Sequence, residues 1–355
     1  MIETQTIKIQ KSPTSKLENT NFSDLKFGRT FSDHMFVMDF VDGKWQEPKI
    51  LPFQNMSMSP AALVIHYGQS IFEGLKAFKN DEGRFGIFRP DLNIQRMNRS
   101  AVRMCMPQIP ENIYMEGLRE LVRLDSDWIP TDELSSLYIR PVLFATDEYI
   151  GVKASERYRF MILTAPVNAY YSKPVRVKIE RDFTRAAKGG TGYAKTAGNY
   201  AGSLYPAKLA NEQGYDQLLW TDAKEHKYIE ESGTMNVMFV VNGKLYTPEL
   251  GETILDGVTR RSVLQLAKDW GYEIEERRIS VEELHNAMQE DRLEEAFGCG
   301  TAATIAHIEA IADGETVYQL PSVKDRKLSN RLMEYFIDLK KFRVEDPYGW
   351  MIELS

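Results

Sequence analysis

Short runs rich in apolar residues, the first alternating with polar ones, each predict a strand. The runs are His34–Val41, 84–88, 137–144, 159–165, Val175–Ile179 and Gln217–Thr221. Asp42-Gly43 closes a hairpin from the first run onto Lys44-Trp45, and Asn242-Gly243 gives the strongest hairpin signal, joining 237–241 to 244–246. Helical spacing follows elsewhere. Pro90-Asp91 opens a helix over 92–104 whose buried stripe is Leu92, Met97, Ala101 and Met104. A second helix spans Glu111–Leu124, and a third covers 201–213 with Pro206 marking either a kink or a late start. Thr259 is placed to cap a helix that turns Val263, Leu266, Ala267 and Trp270 inward and ends at Gly271. Ser280-x-x-Glu283 is a capping box, and 323–343 forms a last amphipathic helix. Residues 1–20 read as a polar, extended arm, and His66 to Gly74 reads as a pocket wall rather than a regular element. Pro166 to Pro174 breaks the pattern. The resulting division is a domain over 1–170, a linker region over 171–182 and a second domain over 183–355.

Composition narrows the class. A chain of 355 residues is too long for one ordinary core, which favours two domains. Apolar content of 43% and charged content of 27% are those of a soluble globular protein. The net charge of −7 argues against nucleic acid as a partner, so any anion is bound locally against the overall sign. The polar N-terminus has no signal core, and no apolar run reaches the ~18 residues of a membrane span. Cys105 and Cys299 build no disulfide or metal framework, which fits a cytoplasmic, reducing compartment. No Walker loop, zinc spacing or His-Glu-x-x-His occurs, and the five histidines do not cluster, so no metal is expected.

Candidate chemistry centres on Gly192-Tyr193-Ala194-Lys195-Thr196-Ala197-Gly198-Asn199-Tyr200. Lys195 is either a loop lysine or an amine screened by little side-chain bulk, suited to a Schiff base with pyridoxal phosphate. Arg96, Arg99 and Arg103 recur at spacings of three and four, as a solvated basic face or as one anion-gripping arginine that spacing does not single out. Tyr138 and Arg140 share a strand face, as a surface pair or as a carboxylate receptor. Leu255 to Thr259 runs into a helix start, which offers free N–H groups to an anion. Gly298-Cys299-Gly300-Thr301-Ala302 is a small-residue loop with a hydroxyl. Within Glu230-Glu231-Ser232-Gly233-Thr234 a glutamate is either surface charge or the partner of a pyridine nitrogen. Gly298-x-Gly300-x-x-Ala303 also fits a dinucleotide fingerprint, provided a helix opens at Thr301.

Taken in order, several segments resemble the branched-chain amino acid aminotransferases, pyridoxal-phosphate enzymes of fold type IV. They are Phe27 to Met35, Tyr67 to Lys76, Phe88 to Met104, Tyr138-Ile139-Arg140-Pro141, Lys195 to Tyr200, Glu231 to Asn236, Gly257-Val258-Thr259-Arg260 and Gly300-Thr301-Ala302. The resemblance implies an α/β protein (α+β by some schemes), with two α/β domains, the active site between them, and a homodimer in which a loop near 148–153 reaches the neighbouring site. It implies pyridoxal 5′-phosphate as cofactor and amino acids and 2-oxo acids as small-molecule partners. Lys195 then matches the Schiff-base and proton-shuttling lysine, Tyr200 the donor to the ring phenolate and Glu231 the ring-nitrogen partner. Arg96 matches the phosphate arginine. Val258, Thr259 and Thr301, with Thr234 nearby in sequence to Glu231, complete the cofactor set. Phe27, Tyr67, Phe72, Tyr138, Tyr170, Thr301 and Ala302 match substrate positions, and Arg140 matches the receptor of the glutamate side-chain carboxylate. The reaction implied is transamination of L-leucine, L-isoleucine and L-valine with 2-oxoglutarate. Alternatives are a D-amino acid aminotransferase, an aminodeoxychorismate lyase, or a cofactor-binding protein without turnover. Animal members carry Cys-x-x-Cys just after the Gly-Thr-Ala loop; here those positions are Ala303 and Ala306, which excludes a thiol switch there.

Overall fold

Main-chain pairing settles the strands close to where the apolar runs put them. The computed structural model describes residues 6–171 and 173–355; residues 1–5 of the expected arm and Ser172 of the 166–174 break lie outside them. The chain divides into two compact units, Met1–Tyr170 with Ala194–Gly198 and Ile337–Ser355, and Tyr171–Tyr193 with Asn199–Phe336.

Among the described residues the first unit holds a ten-stranded sheet. Its main path runs Lys8–Ile9, Lys49–Pro52, His34–Val41, Tyr158–Val167, Ser136–Ala145, Leu75–Lys79, Phe85–Phe88, Met351–Glu353. The arm is therefore partly paired rather than merely extended, through Lys8 and Ile9. Helices Pro90–Arg103 and Glu111–Leu124 bury Met97, Ala101, Tyr114, Leu118 and Leu121 in one core with Phe36, Leu137, Ile139 and Phe160. At Gly117 a Cβ would come within 2.4 Å of the Phe36 ring, so only glycine lets the second helix lie this close to the sheet.

The second unit is a sheet that closes on itself. Met235–Val241 pairs with Leu293–Gly300, and the path continues through Thr304–Asp313, Val175–Ile179, Gln217–Thr221 and Tyr228–Ser232 back to Met235–Val241. Val175–Ile179 runs parallel to both of its neighbours. Helix Val281–Gln289 adds Val281, Leu284 and Ala287 to the core containing Val177, Ile179 and Phe239.

Several expectations are corrected. The 171–182 stretch contains Val175–Ile179, a strand bonded on both edges, so it is not a plain linker. Two stretches of 183–355 belong to the first unit: Thr196 bridges Ile71, and Met351–Glu353 pairs with Phe85–Phe88. His66 to Gly74 is regular in part, with helix Leu63–Tyr67 and strand Ser70–Phe72. The helix expected to start at 201 spans Ala197–Glu212, so Pro206 sits in its interior, where its ring is buried. Thr259 does not cap its helix, because Gly257 holds the cap position and the helix covers Val258–Asp269. The last helix is shorter, Leu328–Lys340, because Glu295 accepts the N–H groups of Lys327, Leu328 and Ser329 at 2.8 Å and fixes the start there. No helix opens at Thr301. Leu293–Gly300 and Thr304–Asp313 form a hairpin with Gly300 opposite Thr304, which removes the dinucleotide reading.

Candidate active site

In the first unit, Lys195 is pinned through its backbone. Its N–H donates to Ser100 Oγ at 2.9 Å and its carbonyl accepts the Phe72 N–H at 3.0 Å. Its Nζ lies 4.9 Å from the centre of the Phe72 ring. Helix Pro90–Arg103 supplies both Ser100 and Arg96 from its buried face. Arg96 is 4% exposed, whereas Arg99 is exposed, so packing separates two arginines that spacing alone leaves equivalent. Arg96 Nε and Nη2 each reach Glu73 at 2.7 Å in a bidentate pair, and Asn93 Nδ2 donates to the same carboxylate at 2.8 Å. Burial pushes the Glu73 carboxyl up, but the charges of Arg96 and Lys195 and the hydrogen bonds from Arg96 and Asn93 outweigh it and hold it below the ordinary range.

The expected substrate residues of this unit form an aromatic group. Phe27 packs on Tyr138 and Tyr170 at 4.9 and 5.2 Å between ring centres. Arg140 lies over the Phe72 and Tyr138 rings at 4.5 and 5.3 Å and donates to the Tyr138 hydroxyl at 2.8 Å. Its buried Nε has no hydrogen-bond partner. Gly74 makes room for Tyr138, since a Cβ there would meet the hydroxyl at 2.3 Å. Tyr67 is exposed, on the last turn of Leu63–Tyr67.

The second unit carries the remaining residues. Glu231 is 3% exposed on Tyr228–Ser232; its Oε1 accepts the Leu255 N–H at 2.7 Å and its Oε2 lies 3.2 Å from Arg185 Nε. Asn236 Nδ2 holds the Leu255 carbonyl at 2.9 Å. That loop runs into Gly257 and the first turn of Val258–Asp269, where Val258 and Thr259 are buried. The first N–H groups of a helix have no intrahelical acceptor, so this turn presents donors and a positive dipole end. Tyr200 lies half-buried on Ala197–Glu212, Thr234 is exposed in the turn after Gly233, and Thr301 and Ala302 occupy the hairpin turn after Gly300.

Sequence reading missed Glu73, Asn93, Ser100, Asn236 and Arg185. Glu73 had one signal, the single carboxylate in the mostly apolar run Ser70 to Phe78, where an acidic group is buried and therefore paired. Arg185 had none. Among the described residues no His/Cys/Asp/Glu group has the arrangement of a metal site, and no helix is long and apolar enough to cross a membrane.

Comparisons with known proteins place the chain in a family. The aminotransferase class IV family pattern matches residues 70–311. Branched-chain-amino-acid aminotransferase 2 of Bacillus subtilis is 45% identical over 355 residues, covering 99% of this chain and 98% of its own. The branched-chain aminotransferase of Thermoproteus uzoniensis, solved with norvaline, superposes with a TM-score of 0.75 at 25% identity over 91% of this chain and 100% of that one. A further branched-chain amino acid aminotransferase, solved with N-(5′-phosphopyridoxyl)-L-glutamate, gives a TM-score of 0.71 at 26% identity over 90% of this chain and 98% of that one. These matches define a fold type IV aminotransferase. The chain belongs to the class IV aminotransferases and, within them, to the branched-chain amino acid aminotransferase family.

Proposed function

We propose that this chain moves the amino group of L-leucine, L-isoleucine or L-valine to 2-oxoglutarate, with pyridoxal 5′-phosphate as cofactor. It is a branched-chain-amino-acid transaminase, and the observation that carries the reading is the amine of Lys195, held at both main-chain groups and set over an aromatic face. The residues present fit the cofactor. A primary amine, a buried glutamate and an open helix start suit an aldehyde, a pyridine nitrogen and a phosphate respectively. At Gly257 a Cβ would meet Asn236 Oδ1 at 2.0 Å, so the backbone ahead of the helix is bare, as close approach to a phosphate requires. When bound, the cofactor supplies an electrophilic carbonyl and an electron-withdrawing ring.

The chain's own residues then have separate tasks. Lys195 Nζ would hold the cofactor through its aldehyde carbon, with loss of water, and as a free amine would carry a proton between the α-carbon of the amino acid and that same cofactor carbon. Glu231 holds the proton on the ring nitrogen. Tyr200 orients the ring by donating to its phenolate oxygen. By the family resemblance Arg96 is assigned to the phosphate, its guanidinium fixed by Glu73, and in the second unit Val258, Thr259, Thr301 and Thr234 are assigned to it at the helix start and turns. Phe27, Tyr67, Phe72, Tyr138, Tyr170 and Ala302 form apolar walls for a branched side chain, and Arg140 receives the second carboxylate of glutamate. An apolar pocket separates side chains one methylene apart by only about 1–3 kcal/mol, so all three branched amino acids are accepted. Lys195→Ala tests the reading: turnover and the visible absorbance of bound cofactor are both expected to vanish, and retained turnover would refute it. Activity with D-leucine but not L-leucine would point instead to a D-amino acid aminotransferase.

A further inference from the structure

Arg185 has no assigned task toward cofactor or substrate, yet its side chain is 9% exposed and touches three separate segments of the second unit. Its Nε lies 3.2 Å from Glu231 Oε2. The N–H is not aimed along a hydrogen bond, so this contact is one of charge to charge. Its Nη2 donates to the Thr253 carbonyl in a short contact, and to the Gly192 carbonyl at 3.4 Å. The three segments are thus the glycine-rich run that leads along the chain to Lys195, the strand bearing Glu231, and the loop entering Val258–Asp269. They are already close: a Cβ on Gly192 would sit 2.8 Å from Thr253 Cα. Further bonds hold the same loop, from Leu255 N–H to Glu231 at 2.7 Å and from Thr253 Oγ1 to Glu230 at 2.6 Å.

The charges around Glu231 give this contact its importance. A carboxylate only 3% exposed is driven to take up a proton unless a cation and N–H donors face it. Glu230 on the same strand adds repulsion toward Glu231, and Asp222 adds to that at Glu230, whose own carboxyl burial pushes up. Cys299, on the far side of Met235–Val241 from the Glu231 strand, stays a neutral thiol, pushed up to about 12 by burial. Arg260 is engaged by Glu276 at 2.7 Å and by the Pro248 carbonyl at 3.0 Å. Arg185 stands at contact distance from Glu231 and brings the opposite charge. A neutral Glu231 would lose the charge with which it holds a proton on the ring nitrogen.

We propose that Arg185 is a positioning residue for transamination: it keeps Glu231 a carboxylate and locks it to the loop that feeds the anion-binding helix start. The proposal rests on the cofactor reading above. Its test compares wild type, Arg185→Gln, Arg185→Lys and the double variant Arg185→Gln/Glu231→Gln. In the cofactor-free proteins, Arg185→Gln is expected to melt below wild type at pH 8 and by less at pH 5, where Glu231 can protonate, and the added Glu231→Gln is expected to restore most of the loss. In the proteins loaded with pyridoxal 5′-phosphate, the pH midpoint of the visible absorbance is expected to move by about one unit in Arg185→Gln, a tenfold change in the protonation equilibrium. Arg185→Lys keeps the charge but not the fork, so its midpoint stays near wild type while cofactor affinity falls roughly tenfold. Should Arg185→Gln fail to fold, a Lys variant whose midpoint shifts by a unit overturns the proposal. So does an Arg185→Gln that melts equally lower at both pH values, is not helped by Glu231→Gln and titrates as wild type. A wild type that binds no cofactor overturns the functional reading and the proposal together, whereas normal wild-type turnover with unaffected variants overturns the proposal alone.

Discussion

Arg140 holds its charge between two aromatic faces, with one donor spent on the Tyr138 hydroxyl and Nε left without a hydrogen-bond partner. A guanidinium kept half dry in this way is poised for a carboxylate, and a charge-assisted bond is worth about 1.5–3 kcal/mol. Arg140→Ala is therefore expected to raise KM for glutamate roughly tenfold or more over any change for leucine; equal effects in steady-state kinetics would remove the assigned role. Glu73 and Arg96 are a different case, a fully buried pair. Glu73→Gln leaves the guanidinium without its counter-charge, at an expected cost of about 3–5 kcal/mol in denaturant unfolding, together with weaker cofactor retention. The Glu73 carboxyl titrates below its ordinary 4.5 in the folded state, so the pair's contribution is present above that value and is lost as pH falls through the folded-state value. Sequence reading found Arg96 only through family resemblance, because three arginines on one helix have the same spacing and only packing selects the buried one. It passed over Glu73 because a carboxylate's role depends on partners brought from another element.

Elements were most legible where local chemistry decides them. Asn242 and Gly243 adopt φ of 50° and 73°, the left-handed pair that a type I′ turn needs, and the flanking strands follow. Ser280 Oγ accepts the Glu283 N–H at 3.0 Å as the capping motif predicts, although the Glu283 carboxylate turns to Arg277 instead of closing the box. Elements were misjudged where a distant group decides. Glu295 from a strand sets the start of Leu328–Lys340, and the pairing of Gly300 with Thr304 turns a glycine motif into a hairpin. Gly257 belongs with the functional elements. Asn236 Oδ1 stands where a Cβ would go, and Asn236 cannot step aside without releasing the Leu255 carbonyl. Gly257→Ala is expected to lower stability by about 1–3 kcal/mol and to weaken pyridoxal phosphate binding, measured by thermal melting and by titration; unchanged affinity would remove this helix start from the phosphate site.

At the scale of the whole molecule the two units differ in how the chain builds them. The break at 166–174 was visible in its prolines, and the contact boundary falls at Tyr170, but the return of 194–198 and 337–355 to the first unit was not visible, since strand pairing between distant segments leaves no local mark. Acid sensitivity follows from buried groups. Burial, with Arg326 nearby, lowers His307 from 6.5 to about 4. A lowered histidine favours proton uptake by the unfolded chain, so its contribution to stability is full above pH 6.5 and falls between 6.5 and about 4, just above the acid loss from Glu73. Melting temperatures from pH 8 to 4 are expected to decline across that window, and His307→Gln to flatten the upper part of the decline. The homodimer that the family resemblance implies would have an exposed apolar loop to bury, in which Ile150 is 69% and Val152 89% exposed; Ile150→Asp/Val152→Asp is expected to shift the mass in light scattering toward a monomer. The most direct measurement of the central claim is the visible spectrum of the protein reconstituted with pyridoxal 5′-phosphate, taken before and after L-leucine. The band of cofactor held on Lys195 is predicted to disappear with L-leucine and to return on adding 2-oxoglutarate, and a spectrum that L-leucine leaves unchanged would contradict the account.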